Sequence, residues 1–395
     1  MFTWSVLIII LSYSTQCWTH GSLYTDAGKS EKTCKPLKSF SVDIKCNRNG
    51  LEVDCTKPVL NGTTAEISCK PFFHFPPYDN IPSFYNRLAC VDGLWDYNLL
   101  PCIPICGKKN EKSKRVRRII GGGNTGIGEY PWHVGIYSKR TIRKKTVYSQ
   151  ICGGSIINPK VVITVAHCFE SKDPKNYGVG AGKYYRPWKD NRDENAQLRN
   201  VEQIFIPESY KGLSNNFAND VAILVVNDPF VFDNFVRPVC VDWTTNTKKD
   251  LLKMGSIGFV PGWGVDQEGG KKSAVLKDIQ LPFVPYDECY SKSDQNFRPI
   301  VNLADKFCAG RTDGQNICKG DSGGGLAFQG HDVHHSGEIF YLMGISSIGP
   351  SKTGSCDPTK YTTFTKLSHH AKWAQNIIKI HTSAYKDFNG WSLDS

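Results

Sequence analysis

From residue 119 onward the chain alternates short apolar or β-branched runs with Gly, Pro and Asn breaks. Val161-Val-Ile-Thr-Val165, Val221-Ala-Ile-Leu-Val-Val226 and Ile339-Phe-Tyr-Leu-Met-Gly-Ile345 are the clearest. Runs of this length and punctuation predict an antiparallel sandwich or barrel, not βαβ units. Helical spacing is convincing only at the end, where Leu367, Ala371, Ala374, Ile377 and Ile378 fall on one face between residues 367 and 380. At the other end an apolar stretch, Met1 to Leu11, is too short to span a bilayer and reads as the core of a secretory signal, although it lacks the usual leading Lys or Arg. A signal over residues 1–21 would remove Cys17 and leave an even number of cysteines for an oxidising, extracellular compartment.

Composition divides the chain. Its 395 residues allow two or three domains, and 40% hydrophobic with 12% aromatic residues excludes wholesale disorder. Cys34, Cys46, Cys55, Cys69, Cys90 and Cys102 crowd together, whereas the longer remainder has few. A small module with little core needs such staples, so residues 34–103 are expected to form a separate Cys-rich unit. A basic stretch, 104–118, follows and should be an exposed linker ending in Arg115-Val-Arg-Arg118. The main domain is then expected over 119–383, with a tail at 384–395. Asn61-Gly62-Thr63 is a glycosylation sequon.

Three segments carry chemistry. His167 lies in Val165-Ala-His-Cys168, Asp220 heads a strand in Asn219-Asp220-Val-Ala-Ile-Leu224, and Ser322 lies in Cys318-Lys-Gly-Asp-Ser-Gly-Gly-Gly325. A serine hydroxyl needs a base within reach, and an imidazole oriented by a buried carboxylate supplies one. The glycines around Ser322 allow the backbone N–H groups of Gly320 and Ser322 to face a developing oxyanion. No internal repeat or metal-ligand spacing appears in this half, and no cofactor, metal or nucleic acid is called for.

These motifs, together with Ile119-Ile-Gly-Gly122, Pro131-Trp132 and Gly262-Trp-Gly264, resemble the chymotrypsin/trypsin-family serine proteases over residues 119 to about 383. The resemblance implies an all-β fold: two six-stranded antiparallel β-barrels with a C-terminal helix, here preceded by a small disulfide-rich β module. It implies a serine endopeptidase with His167, Asp220 and Ser322 as triad. It also implies activation by cleavage after Arg118, so that the new amine of Ile119 pairs with Asp321. Either an upstream trypsin-like activator or a furin-like convertase fits Arg118. The family's bridges would be Cys152–Cys168, Cys289–Cys308, Cys318–Cys356 and the tether Cys106–Cys240. One frequent bridge is absent, with Gly258 and Phe328 at its two positions.

By the same resemblance, Asn316, Gly349 and Thr362 would form the primary specificity pocket, with Ile317 making its wall more apolar. A neutral base cannot offset the desolvation of Arg or Lys, so cleavage after medium apolar or aromatic residues is expected. Tyr361 stands where many relatives carry Pro, and the resemblance links that residue to a sodium response. The N-terminal unit is similar to a sushi (complement-control) module, which implies Cys55–Cys90 and Cys69–Cys102 and leaves Cys34–Cys46. The whole arrangement is similar to the modular serine proteases that start arthropod haemolymph cascades. The expected partners are therefore protein substrates such as a downstream zymogen, and a recognition ligand of the module. A different class of answer is a secreted binding protein in which catalysis is minor.

The net charge of +11 sharpens on inspection. Residues 107–118 and Lys139-Arg-Thr-Ile-Arg-Lys-Lys145 account for the whole excess. The second is expected to be a surface loop that attracts a polyanion or an acidic substrate.

Overall fold

The computed structural model describes residues 31–76, 86–110, 123–243, 249–265, 270–314, 316–331, 337–352 and 355–382. The expected signal segment, Arg118, Ile119 and the tail at 384–395 lie outside them. No helix among the described residues is long and apolar enough to cross a membrane.

The N-terminal unit is a five-stranded antiparallel sheet ordered Leu51–Val53, Val42–Arg48, Thr64–Cys69, Arg87–Val91, Leu94–Trp95. Its core is small, chiefly half-cystines with Val42, Val59, Ala65, Ile67 and Leu88. The bridges are Cys34–Cys90, Cys46–Cys55 and Cys69–Cys102. This corrects the expected Cys55–Cys90 and Cys34–Cys46. The physical cause is a tight hairpin. Asn49 and Gly50 both take positive φ, 55° and 82°, and turn the chain so that Cys46 faces Val53, two residues before Cys55. Asn-Gly is the strongest short-range hairpin signal, and it brings those two cysteines together locally. Cys34, paired in register with Val59, is then beside Cys90, whose backbone bonds Gly62 and Thr63.

The unit is docked on the larger domain. Phe73 stacks on Phe232 with ring centroids 5.6 Å apart, and the Arg237 guanidinium lies 5.1 Å from the centre of the Phe72 ring. Strand Ile103–Pro104 pairs with Phe73–His74, and Cys106–Cys240 then fastens the following segment. Lys109 sits over the rings of Tyr130, Phe259 and Phe340 at 4.3–4.7 Å.

The first barrel closes through β1 (His133–Ile142), β2 (Lys145–Asn158), β3 (Val161–Thr164), β4 (Tyr177–Ala181), β5 (Gln197–Phe205) and β6 (Ala222–Val226), in the ring order β1-β2-β3-β6-β5-β4. β3 and β6 are buried on both faces, which is why they read as unbroken apolar runs. The second barrel uses β7 (Ile257–Gly262), β8 (Lys277–Val284), β9 (Lys306–Ala309), β10 (Gly325–His331), β11 (Glu338–Ser346) and β12 (Thr362–Lys366), ordered β8-β7-β10-β11-β12-β9 and closed by β8–β9 pairing. Gly258 and Phe328 are direct cross-strand partners. A side-chain carbon at Gly258 would lie 2.9 Å from the Phe328 ring, so the ring occupies the space a bridge would fill.

The C-terminal helix, Ala371–Thr382, follows a short 3-10 turn at Leu367–His370. Leu367, Ala374 and Ile377 join the core of the first barrel, so the helix staples the end of the chain back across the molecule. Strands β1 and β2 run beyond the barrel to a two-residue turn, Arg143-Lys144, where both residues take positive φ. Arg140, Arg143, Lys144 and Lys145 are exposed on this projecting hairpin.

Candidate active site

His167 stands on a single 3-10 turn, Ala166–Cys168, just after β3. The Cys152–Cys168 bridge pins that turn to β2. These two sulfurs lie close to the His167 ring, but both are consumed in the disulfide and offer no thiolate to a metal.

Asp220, fully buried at the head of β6, receives three hydrogen bonds on its carboxylate. They come from His167 Nδ1 at 2.8 Å, the His167 backbone N–H at 2.9 Å and the Ser347 hydroxyl at 2.6 Å. Burial works to raise its pKa. The hydrogen bond and charge of His167, the charge of Lys306 and the Ser347 bond outweigh it and hold the carboxyl below its ordinary value. The imidazole is therefore fixed in tautomer and direction, with Nε2 left for other work.

Ser322 lies on the turn before β10. Its carbonyl accepts from the Gly153 N–H at 2.8 Å, which ties the turn to the strand next to Cys152 and hence to His167. Gly323 has a φ of +77°, and a side chain there would meet Thr164 Oγ1 at 2.2 Å and the Gly153 carbonyl at 2.5 Å. Glycine is what lets Ser322 approach β2 and β3. Gly320, also at positive φ, is steadied by its carbonyl, which accepts from Gln150 Nε2 at 3.1 Å. Lys272 in turn donates to Gln150 Oε1 at 3.0 Å and to the Gln150 carbonyl at 2.8 Å.

Asp321 points away from this surface. Its carboxylate accepts from the N–H of Gly264 at 2.7 Å and of Cys318 at 3.2 Å. A side chain at Gly262 or Gly264 would approach it to 2.1 or 2.0 Å, so the Gly262-Trp-Gly264 motif forms its cradle. Burial pushes its pKa up to about 6 despite both bonds and the charge of Lys272.

Asn316 has its amide occupied by the protein. Nδ2 donates to the Lys360 carbonyl at 2.5 Å, and Oδ1 accepts from the Ile317 N–H at 2.9 Å and the Thr362 hydroxyl at 3.3 Å. Thr362 Oγ1 would also lie 3.3 Å from a side chain at Gly349, so these three residues do come together. Ile317 packs into the second-barrel core with Val260, Leu281 and Phe364. The Tyr361 hydroxyl donates to Glu288 at 2.6 Å. Asn61 is exposed, and its side-chain oxygen accepts from the Asp92 N–H at 2.7 Å.

The sequence reading did not single out Ser347, Thr365, Gln150 or Lys272. None sits in a motif, because tertiary packing between distant segments, and not neighbouring sequence, brings each to the site.

The Trypsin family model matches residues 119–374. Clotting factor C of Tachypleus tridentatus is 32% identical over 301 residues, covering 74% of this chain and 28% of that protein. Modular serine protease of Drosophila melanogaster is 30% identical over 308 residues, covering 74% of this chain and 44% of that protein. Coagulation factor IX of Oryctolagus cuniculus is 32% identical over 267 residues, covering 67% of this chain and 86% of that protein. The chain therefore spans less than half the length of the first two. With two six-stranded barrels and a family match over most of its length, the chain belongs to the trypsin family of serine proteases, which are endopeptidases.

Proposed function

We propose that the chain is a secreted zymogen, cut after Arg118 and acting by limited proteolysis in an extracellular cascade, with Ser322 as its nucleophile. The observation that carries the reading is the buried Asp220 carboxylate, which grips His167 through both ring and backbone. Ser322 Oγ attacks the scissile carbonyl while His167 Nε2 takes its proton. Asp220 stabilises the imidazolium, and the N–H groups of Gly320 and Ser322 receive the oxyanion. His167 then returns the proton to the leaving amine, and water repeats the cycle on the acyl-enzyme. The new Ile119 ammonium pairs with Asp321 in its glycine cradle and orders the loop that carries those N–H groups.

Cleavage follows medium apolar or aromatic residues. Asn316 offers no charge, and its polar atoms are already bonded to the protein. An enzyme that rejects Arg does not cut itself after Arg118, so a separate protease, a trypsin-like activator or a furin-like convertase, makes that cut. The names of the relatives, two of them clotting or coagulation factors, support a place in an extracellular cascade, for which a downstream zymogen is the substrate we propose. The protease domain covers 119–383, and residues 34–103 act as a docked recognition module. The hairpin around Arg143-Lys144 draws acidic substrates or polyanions, an effect that fades as salt rises.

The test is to cut the chain after Arg118 and treat it with a fluorophosphonate. Labelling of wild type, none of Ser322→Ala, and cleavage of Leu or Phe peptides over Arg peptides is the expected result. An unlabelled wild type would sink the nucleophile assignment, and preferred cleavage of Arg peptides would sink the pocket assignment. Neutralising Lys139, Arg140, Arg143, Lys144 and Lys145 should abolish the salt dependence of cleavage or heparin retention.

A further inference from the structure

Behind Asp220 lies a second buried ionic group that peptide hydrolysis does not itself require. Lys306 opens β9, Asp305 precedes it, and His370 ends the turn before the C-terminal helix. Their side chains are 0%, 4% and 6% exposed. Lys306 Nζ is 3.4 Å from Asp305 Oδ2 and donates to Thr365 Oγ1 at 2.9 Å. With its oxygen so engaged, the Thr365 hydroxyl donates its own proton to the Asp220 carbonyl at 2.8 Å. Asp305 Oδ2 accepts the backbone N–H of Asn219 at 2.7 Å. Asn219 is held at a φ of +58°, in the left-handed region. The peptide N–H before Asp220 and the carbonyl of Asp220 itself are thus both anchored to one ion pair.

We propose that Lys306 and Asp305 form a buried charge clamp that positions Asp220 and sets the electrostatic field in which the His167–Asp220 pair holds its proton. Both are positioning residues, acting through Asp220, and the proposal rests on the triad assignment made above. Asp220 and Asp305 are both buried, Lys306 pairs with Asp305 and acts electrostatically on Asp220, and each carboxylate alone would be costly to bury. Burial holds the Lys306 pKa below its ordinary value, with Asp305 and Asp220 opposing that shift, so the ammonium is what offsets the burial of both carboxylates.

The group carries one net negative charge at rest, which the imidazolium neutralises during the reaction. Removing the cation leaves two negative charges behind His167 and favours early protonation. Removing the Asp305 charge leaves no net charge there and disfavours it. The two changes therefore move the acid side of the activity profile in opposite directions. The other groups facing the clamp are His370, 3.6 Å from Asp305, His369, which interacts with Asp305 and Lys306, and Tyr210, which interacts with Asp220; the Lys366 backbone N–H bonds the Asp305 carbonyl at 2.8 Å.

The experiment is kcat/KM against pH for the full chain cut after Arg118, in wild type, K306M, D305N and K306M/D305N. Each is repeated with His370→Gln to remove that imidazole's own titration. In K306M the pH of half-maximal activity should rise by about half a unit or more, and in D305N it should fall by a similar amount. The double variant should return close to wild type. If K306M does not fold, the double variant must still lie above D305N. Acid limbs that do not move, or that all move the same way, would overturn the clamp even if stabilities change. Fluorophosphonate labelling of wild type separates this outcome from failure of the triad assignment.

Discussion

The Thr362 hydroxyl donates to Asn316 Oδ1 at 3.3 Å, and this contact joins the floor of the candidate specificity pocket to its base. Thr362 is only 4% exposed, so its methyl and hydroxyl fill space that glycine would leave open. We expect Thr362→Gly to raise kcat/KM for Phe or Tyr over Leu before the scissile bond by about tenfold, the worth of one or two methylenes in an apolar pocket. Arg peptides should stay poor substrates. An unchanged Phe-to-Leu ratio would place the pocket floor elsewhere.

Asp321 ties stability to pH before cleavage. Its folded pKa, about 6, lies above the ordinary value of 3.8, so the folded chain holds that proton more tightly than the unfolded one. Stability present below pH 3.8 is therefore lost as pH rises through 6, by about 2–3 kcal/mol. In an uncut Ser322→Ala chain, urea unfolding at pH 4 and 6.5 should show this loss. Asp321→Asn should flatten it, and cutting after Arg118 should abolish it by supplying an ammonium. Once cut, Asp321→Asn or Ile119→Gly should leave little peptidase activity.

His133 acts in the opposite sense. It is 4% exposed, tilted against Trp263 with ring centroids 5.1 Å apart, and neither ring nitrogen has a hydrogen-bond partner among the described residues. Burial lowers its pKa to about 3 from 6.5, so the unfolded chain binds that proton first. Its contribution is complete above pH 6.5 and is lost as pH falls towards 3. Between pH 7.5 and 5 this amounts to about 2 kcal/mol. His133→Phe should unfold with a correspondingly smaller acid sensitivity in urea titrations at those two pH values. Equal sensitivity in both proteins would contradict the assignment.

Gly323 should be intolerant of any side chain. Its positive φ and the 2.2 Å and 2.5 Å approaches to Thr164 and Gly153 leave an added methyl nowhere to go. We expect Gly323→Ala to cut kcat by about 100-fold or more and to cost about 2–4 kcal/mol, because Ser322 must retreat from β2. Gly123→Ala, with nothing within 4 Å of the added carbon, is the control and should behave as wild type. Active-site titration with chemical denaturation of both variants checks this.

Much of this protein was already determined by its sequence. The short punctuated runs dictated strands, the C-terminal spacing dictated a helix, and the order of His167, Asp220 and Ser322 within their motifs indicated a serine endopeptidase. These are local signals, since each depends on residues within a few positions of one another. The Asn49-Gly50 turn is equally local and brings Cys46 to Cys55, a pairing outside the four-cysteine sushi pattern. What tertiary structure alone decided is how charges far apart in the chain share one buried space. Ser347 and Thr365 meet Asp220, with Lys306 bonded to Thr365 and Asp305 to Asn219, only because β6, β9, β11 and β12 converge there. A buried charge is stable only beside its partners, and those partners are set by barrel closure rather than by neighbouring residues.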